Sequence, residues 1–310
     1  MNSKPEYNEL SNNIYGEKII NYKAVGLLAI PIIGWGLSWP FLKIALSEIP
    51  PWTFRGLIAP NAAIVLICFG LVFRHKLDSP LKQWKEILIA AAFNITIWHT
   101  FSAFGIRLLG GGQSSIIAYT MPLWAVLFSI FFLGEKVNIY RFAAIVLGML
   151  GLGVLISGEL GILKTTPLGV VFMLIAAISW GAGTVIQKKI EWEISALSLV
   201  IWQLIFGGLP ITVGALFIES YDWSEISYKA AGSTLFILFI AIILSWFAWF
   251  KVIKILPVPV FSLATLLVPI LGVLSSHLLL GEPIGWRELL SLVLICSSLA
   301  LVIVPTRSSS

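Results

Sequence analysis

Polar and aromatic side chains embedded in long apolar runs are the residues of this chain best suited to do chemistry. In "NITIWH", Asn94 and Trp98 lie one helical turn apart on one face, with His99 beside them. Ser245 and Trp249 repeat that spacing, Trp202 stands next to Gln203, and Ser38 next to Trp39. Rings beside amide and hydroxyl groups suit binding: a ring face takes an apolar body or an ammonium group, and a few polar atoms fix orientation. The competing reading is that the rings pack between helices and the polar groups tie helices together. Catalysis has no support. His75, His99 and His277 have no acid or cysteine at ligand spacing, and no nucleophile turn, phosphate loop or His-Glu-x-x-His signal occurs. The expectation is a binding or passage site in a protein that is not an enzyme and has no metal and no cofactor.

Arg55, in "PPWTFRGLIAP", lies near the start of the second apolar run, and no intramembrane Asp or Glu is available to pair with it. Backbone carbonyls, lipid phosphate and a carboxylate on a substrate all remain open as its partner.

The elements that carry these residues follow from composition. Of 310 residues, 58% are hydrophobic and 11% charged, and mean hydropathy is +0.97. Runs of roughly 20 apolar residues, the length of a spanning helix, recur throughout. They lack the alternation of a membrane barrel. The reading is an all-α integral membrane protein of ten transmembrane helices, at 23–46, 51–73, 86–107, 112–133, 139–158, 167–188, 196–218, 231–252, 257–280 and 286–304. Cys68 and Cys296 read as small membrane hydrophobes. Of twenty basic residues, only Lys43, Arg55, Arg107, Lys164, Lys229 and Arg287 fall away from the side of the termini. That bias puts both termini in the cytoplasm.

The chain also repeats itself. "AYTMPLWAVLFSIFFLGE" and "TLLVPILGVLSSHLLLGE" align Pro122 with Pro269 and Leu133-Gly134-Glu135 with Leu280-Gly281-Glu282 at a spacing of 147. Trp35-Gly36 aligns with Trp180-Gly181 at 145. Five spans per half invert the second half relative to the first. The organisation is an N-terminal cytoplasmic segment 1–22, a five-helix repeat 23–158, a linker 159–166, a second five-helix repeat 167–304 and a tail 305–310. Pro40, Pro122 and Pro269 each remove a backbone hydrogen bond, so their helices should bend there, and the bends can serve gating. Gly134 and Gly281 can end their helices in a left-handed conformation. Small residues in the fifth and tenth spans suit close helix contact, either bracing the halves or forming a homodimer.

These quoted stretches, with "GWGLSWPFLKIAL" in the first span and "AAISWGAGTVIQKK" in the sixth, resemble the EamA-type members of the drug/metabolite transporter superfamily over the whole chain after residue 22. The resemblance implies a bacterial inner-membrane carrier, often an exporter of amino acids or related metabolites, working by alternating access on a small-molecule substrate. Membrane lipid is its surroundings, and nucleic acid is not a partner. By that analogy Trp39, Asn94, Trp98, His99, Tyr119, Thr184, Trp202, Gln203, Trp246 and Thr265 line a central cavity. Arg55 carries over as the arginine at the start of the second span, in a structural role. The sugar-phosphate carriers among its relatives need several cavity cations, which this chain lacks, and the buried first-helix glutamate of small multidrug relatives is also missing.

Overall fold

The computed structural model describes residues 22–135, 139–162, 167–255 and 264–303. Those residues form helices joined by short turns, with no strand among them. In chain order they are α1 (Tyr22–Glu48), α2 (Pro51–Val72), α3 (Trp84–Leu108), α4 (Gly111–Leu133), α5 (Ile139–Ile162), α6 (Pro167–Lys189), α7 (Ala196–Ile218), α8 (228–255), α9 (Leu267–Leu280) and α10 (Trp286–Ile303). Seven helices among the described residues are long and apolar enough to cross a membrane, and the shorter apolar helices Phe142–Leu155 and Leu267–Leu280 accompany them. The N-terminal segment, the end of the linker, the start of the ninth expected span and the tail lie outside the described residues.

Helix ends follow local chemistry. Pro51 opens α2, where a missing N–H costs nothing. Ser195 and Ser227 cap α7 and α8 through their hydroxyls. Gly134 and Gly281 end α4 and α9 at φ +66° and +68°, the left-handed geometry expected of them.

The packing respects an exchange of the two halves. α1 packs on α8 and α9, and its repeat counterpart α6 packs on α3 and α4. The pairs α2 with α7, α4 with α9 and α5 with α10 each join a helix to its own counterpart. On α5, a Cβ added at Gly151 would lie 3.0 Å from side-chain carbons of Leu294 and Ile295 on α10. Ser298 donates to the Ala144 carbonyl at 2.7 Å across the same contact. The small-residue stripes therefore pack on each other.

Both halves carry the same irregularities. α3 widens to a π-helix over Ala92–Ile97 and α8 over Ile237–Leu244. α4 breaks at Tyr119–Thr120, between Gly111–Ala118 and Met121–Leu133, and a turn at Thr265–Leu266 precedes α9. The breaks have a common cause: the rings of Pro122 and Pro269 exclude the carbonyls of Ala118 and Thr265, four residues earlier. Pro40 lies inside an uninterrupted α1.

Candidate functional site

The repeated Trp-Gly pairs build the centre. A Cβ on Gly36 would lie 2.5 Å from Leu271 Cβ of α9, and one on Gly181 2.6 Å from Trp124 Cβ of α4. Glycine at both places lets α1 and α6 close against their neighbours. The adjacent rings of Trp35 and Trp180 are left on the wall of a central cavity of about 300 Å³. Trp98 and Trp246, which follow the two π-segments, complete an aromatic wall. Trp98 lies 5.1 Å from Trp180, and Trp246 5.8 Å from Trp35, between ring centroids. π-Segments shift the register of the residues after them, and they recur at functional sites.

Trp39, His99 and Tyr119 also line this cavity, with Arg55 and Ser102. A wider hollow of about 540 Å³ shares the walls Tyr119, Met121 and Trp180 with it and runs past Thr184 and Thr265 to Glu135 and Lys188. Eight of the expected site residues, Trp39, Trp98, His99, Tyr119, Thr184, Trp246, Thr265 and the proline Pro122, thus border the two spaces. Pro269 is buried on α9 beside Val268, which is a wall residue.

Three expected residues stand elsewhere. Asn94 Nδ2 donates to Gln203 Oε1 at 3.4 Å, and Gln187 Nε2 reaches the same oxygen at 3.5 Å, a buried amide knot joining α3, α6 and α7. Gly183 makes room for Asn94, whose Oδ1 would be 2.2 Å from an added Cβ. Trp202 Nε1 donates to the Asp78 carbonyl at 2.9 Å, anchoring the start of α7 to the α2–α3 turn. Trp35, Trp180, Met121 and Ser102 are wall residues that pocket-style reasoning on polar neighbours missed. The repeated Trp-Gly pairs were the available signal for the two tryptophans.

On one face of the bundle, carboxylates grip helix starts of the other half. Glu282 accepts the N–H groups of Gly111 at 2.6 Å and Gly112 at 2.9 Å. Glu219 accepts the Thr53 N–H at 2.8 Å and its hydroxyl at 2.9 Å. Glu48 accepts the Ser227 N–H at 2.9 Å and its hydroxyl at 2.6 Å. An anion at a helix N-terminus satisfies orphan donors and meets the positive end of the dipole. On the opposite face Asp78 accepts the Ser195 N–H at 2.8 Å, and this bond, with Lys76 at 3.1 Å, holds its carboxyl below the usual range. Gln83 bonds the main chain of Glu191 and Glu193 there, and Lys188 pairs with Glu135 where the wider hollow reaches the surface. His277 lies on the Glu282 face, its Nδ1 2.7 Å from the Glu282 carbonyl.

Comparisons agree with this architecture. The EamA-like transporter family matches twice, over residues 22–157 and 167–304. The chain is 30% identical over 277 residues to the uncharacterized transporter YvbV of Bacillus subtilis, covering 89% of this chain and 90% of that one. It is 26% identical to a probable amino-acid metabolite efflux pump of Escherichia coli, covering 88% and 93%. A solved crystal structure with 20% identity superposes with a TM-score of 0.61 over 91% of this chain and 96% of that one, which shows a shared fold. The chain therefore belongs to the EamA-like transporter family and is a multi-pass membrane transporter.

Proposed function

We propose that the protein is a secondary transporter of a small metabolite of the amino-acid class, with a neutral, apolar or aromatic body, exported across the bacterial inner membrane by alternating access. Ten spans form two inverted five-helix halves with both termini in the cytoplasm. The exchange of packing partners between halves supports the inversion. The basic-residue bias supports the orientation.

The observation that carries this reading is the cavity itself: aromatic, central, walled by both halves, with carboxylate grips between the halves on the Glu282 face and a hollow beside it that reaches the Glu135 face. In the proposed orientation the Glu282 face is periplasmic. A solute then meets the site from the cytoplasm, and release requires the three carboxylate grips to open while the Glu135 face closes. Inverted repeats do this by exchanging conformations around a fixed midplane site. The proline breaks in α4 and the turn before α9 are the points where the backbone already departs from helix geometry. A relative's name as an amino-acid metabolite efflux pump agrees with the substrate class and direction.

The test is counterflow in sealed liposomes at symmetric pH, with labelled neutral and aromatic amino acids, a quaternary amine and a sugar phosphate. Saturable counterflow of an amino acid, reduced by Trp98→Ala or Trp180→Ala in folded protein, is expected. Tight vesicles with folded protein and no amino-acid counterflow would overturn the substrate reading.

A further inference from the structure

Arg55 has more binding capacity than the protein uses. The residue is 6% exposed, in the first turns of α2, and it lines both the central cavity and the adjoining space toward Leu66 and Leu197. One guanidinium nitrogen, Nη2, donates to Ser102 Oγ at 3.2 Å, while Nε has no hydrogen-bond partner. Its carbon lies 5.5 Å from the Phe54 ring centroid. No aspartate or glutamate is among the residues lining these two spaces. His99, another wall residue, leaves Nδ1 unpartnered. Arginine keeps its charge, and a buried cation without a counter-charge or a full set of acceptors is costly. Such a group at a functional cavity is retained when something that visits the cavity supplies the acceptor.

Resting on the transporter reading above, we propose that Arg55 seats a single carboxylate on the transported solute, at the end of the cavity nearest the Glu282 face. The solute's apolar or aromatic body lies between Trp98, Trp180 and Trp246. The guanidinium fork matches a carboxylate with two parallel N–H bonds. The lone arginine in a largely aromatic and apolar lining fits one negative charge, and no second arginine and no lysine stands in the lining to neutralise a phosphate dianion. The lining also offers no acid for an ammonium group, so the carboxylate carries recognition and the amine rests on ring faces or on nothing. The ligand class is monocarboxylates with an apolar body, α-amino acids included and decarboxylated amines excluded.

The test uses the full chain purified in detergent and four probes that share a benzyl body: phenylalanine, 3-phenylpropionate, phenylalaninamide and phenethylamine. Calorimetry or thermophoresis should show both carboxylates binding at least about tenfold more tightly than the amide and amine, the scale of a charge-assisted pair. Arg55→Gln should erase that preference and Arg55→Lys should keep part of it. Equal binding of all four probes, binding of none, or a preference that survives Arg55→Gln would overturn the proposal. Should Arg55→Gln fail to fold, the wild-type ranking alone decides. Counterflow separates this from the parent reading. Arg55-dependent carboxylate binding without flux of any solute sinks transport and leaves the anion seat standing. Saturable flux with no carboxylate preference does the reverse.

Discussion

Glu282 offers the sharpest perturbation of the transport cycle. Its carboxylate takes two main-chain N–H bonds, at 2.6 and 2.9 Å, from the first turn of α4. A charge-assisted bond contributes about 1.5–3 kcal/mol when well buried, and this site is half-exposed, so roughly 1 kcal/mol per bond is a fair value. Glu282→Gln keeps one neutral acceptor and loses the charge at the helix start, a net loss of about 1–1.5 kcal/mol. In the proposed cycle this contact is made only while that face is closed, so the loss appears as a shift of about five- to tenfold toward opening on the Glu282 face. The readout is labelling of Ser38→Cys, a cavity-wall position, by an impermeant maleimide added outside cells. The background lacks Cys68 and Cys296, the two native thiols. Labelling should be about five- to tenfold faster with Glu282→Gln. Gly110→Ala is the independent arm, since its new Cβ would sit 2.6 Å from Glu282 Oε2 and push the carboxylate off. Unchanged labelling in both variants, with the protein folded, would refute the grip as a closing contact. Slower labelling would mean that it holds the other state.

Other perturbations follow from the same geometry. Gly181→Val would drive a side chain against Trp124 Cβ and the Ala125 main-chain nitrogen, at 2.6 and 2.8 Å from the Cβ. Overpacking of that kind costs about 1–3 kcal/mol, seen as a lower Tm in detergent and weaker ligand binding at the displaced Trp180. Pro122→Ala restores a donor and removes the ring at the α4 break, so counterflow should slow several-fold while Tm stays level or rises. The Asp78 carboxyl is lowered below its ordinary 3.8 by the Ser195 N–H first and then by Lys76. A depressed carboxyl stabilises the fold above its unfolded pKa and loses that contribution as pH falls through the folded one. Asp78→Asn should therefore lower Tm at pH 7, and the gap between the two melting curves should begin to close below about pH 3.8 and vanish once pH has fallen through the lower folded-state value. A Tm gap that persisted at lower pH would remove the charge from the account.

Much of the fold was legible because a spanning helix is written as an uninterrupted apolar run: 196–218 and Ala196–Ile218 coincide, and most other described ends differ by three residues or fewer. The left-handed ends at Gly134 and Gly281 were legible too, since a glycine after a long helix has one common use. The site was legible only in part. Asn94 and Gln203 read as pocket groups because a polar side chain inside a span must face protein or water, and sequence does not say which. The amide knot with Gln187 uses them as a tie between helices. Trp180 was visible as one half of a repeated pair, but its place on the cavity wall depends on how closely Gly181 lets α6 approach α4. Glu282 was visible as one end of the repeated Leu-Gly-Glu, but its partners are main-chain N–H groups about 170 residues away, and no side-chain pattern marks such a contact.

The placement of those acids has a physical reason. Inside a bilayer, helices that slide past one another exchange apolar protein contacts for apolar lipid contacts, with little hydrophobic driving force either way. The balance between two conformations then falls to the few polar contacts at the helix ends. Each is individually modest, so a few of them together can hold a face without making the hold permanent. Glu48, Glu219 and Glu282 make such contacts at one face with main-chain donors, which are fixed to the helix and cannot turn away. At the other face Asp78 does the same with the Ser195 N–H, while Glu135, the repeat counterpart of Glu282, meets the end of the Lys188 side chain, which can swing. The same acid in two repeats thus stands at opposite faces with donors of different stiffness, main-chain N–H groups for Glu282 and a lysine side chain for Glu135.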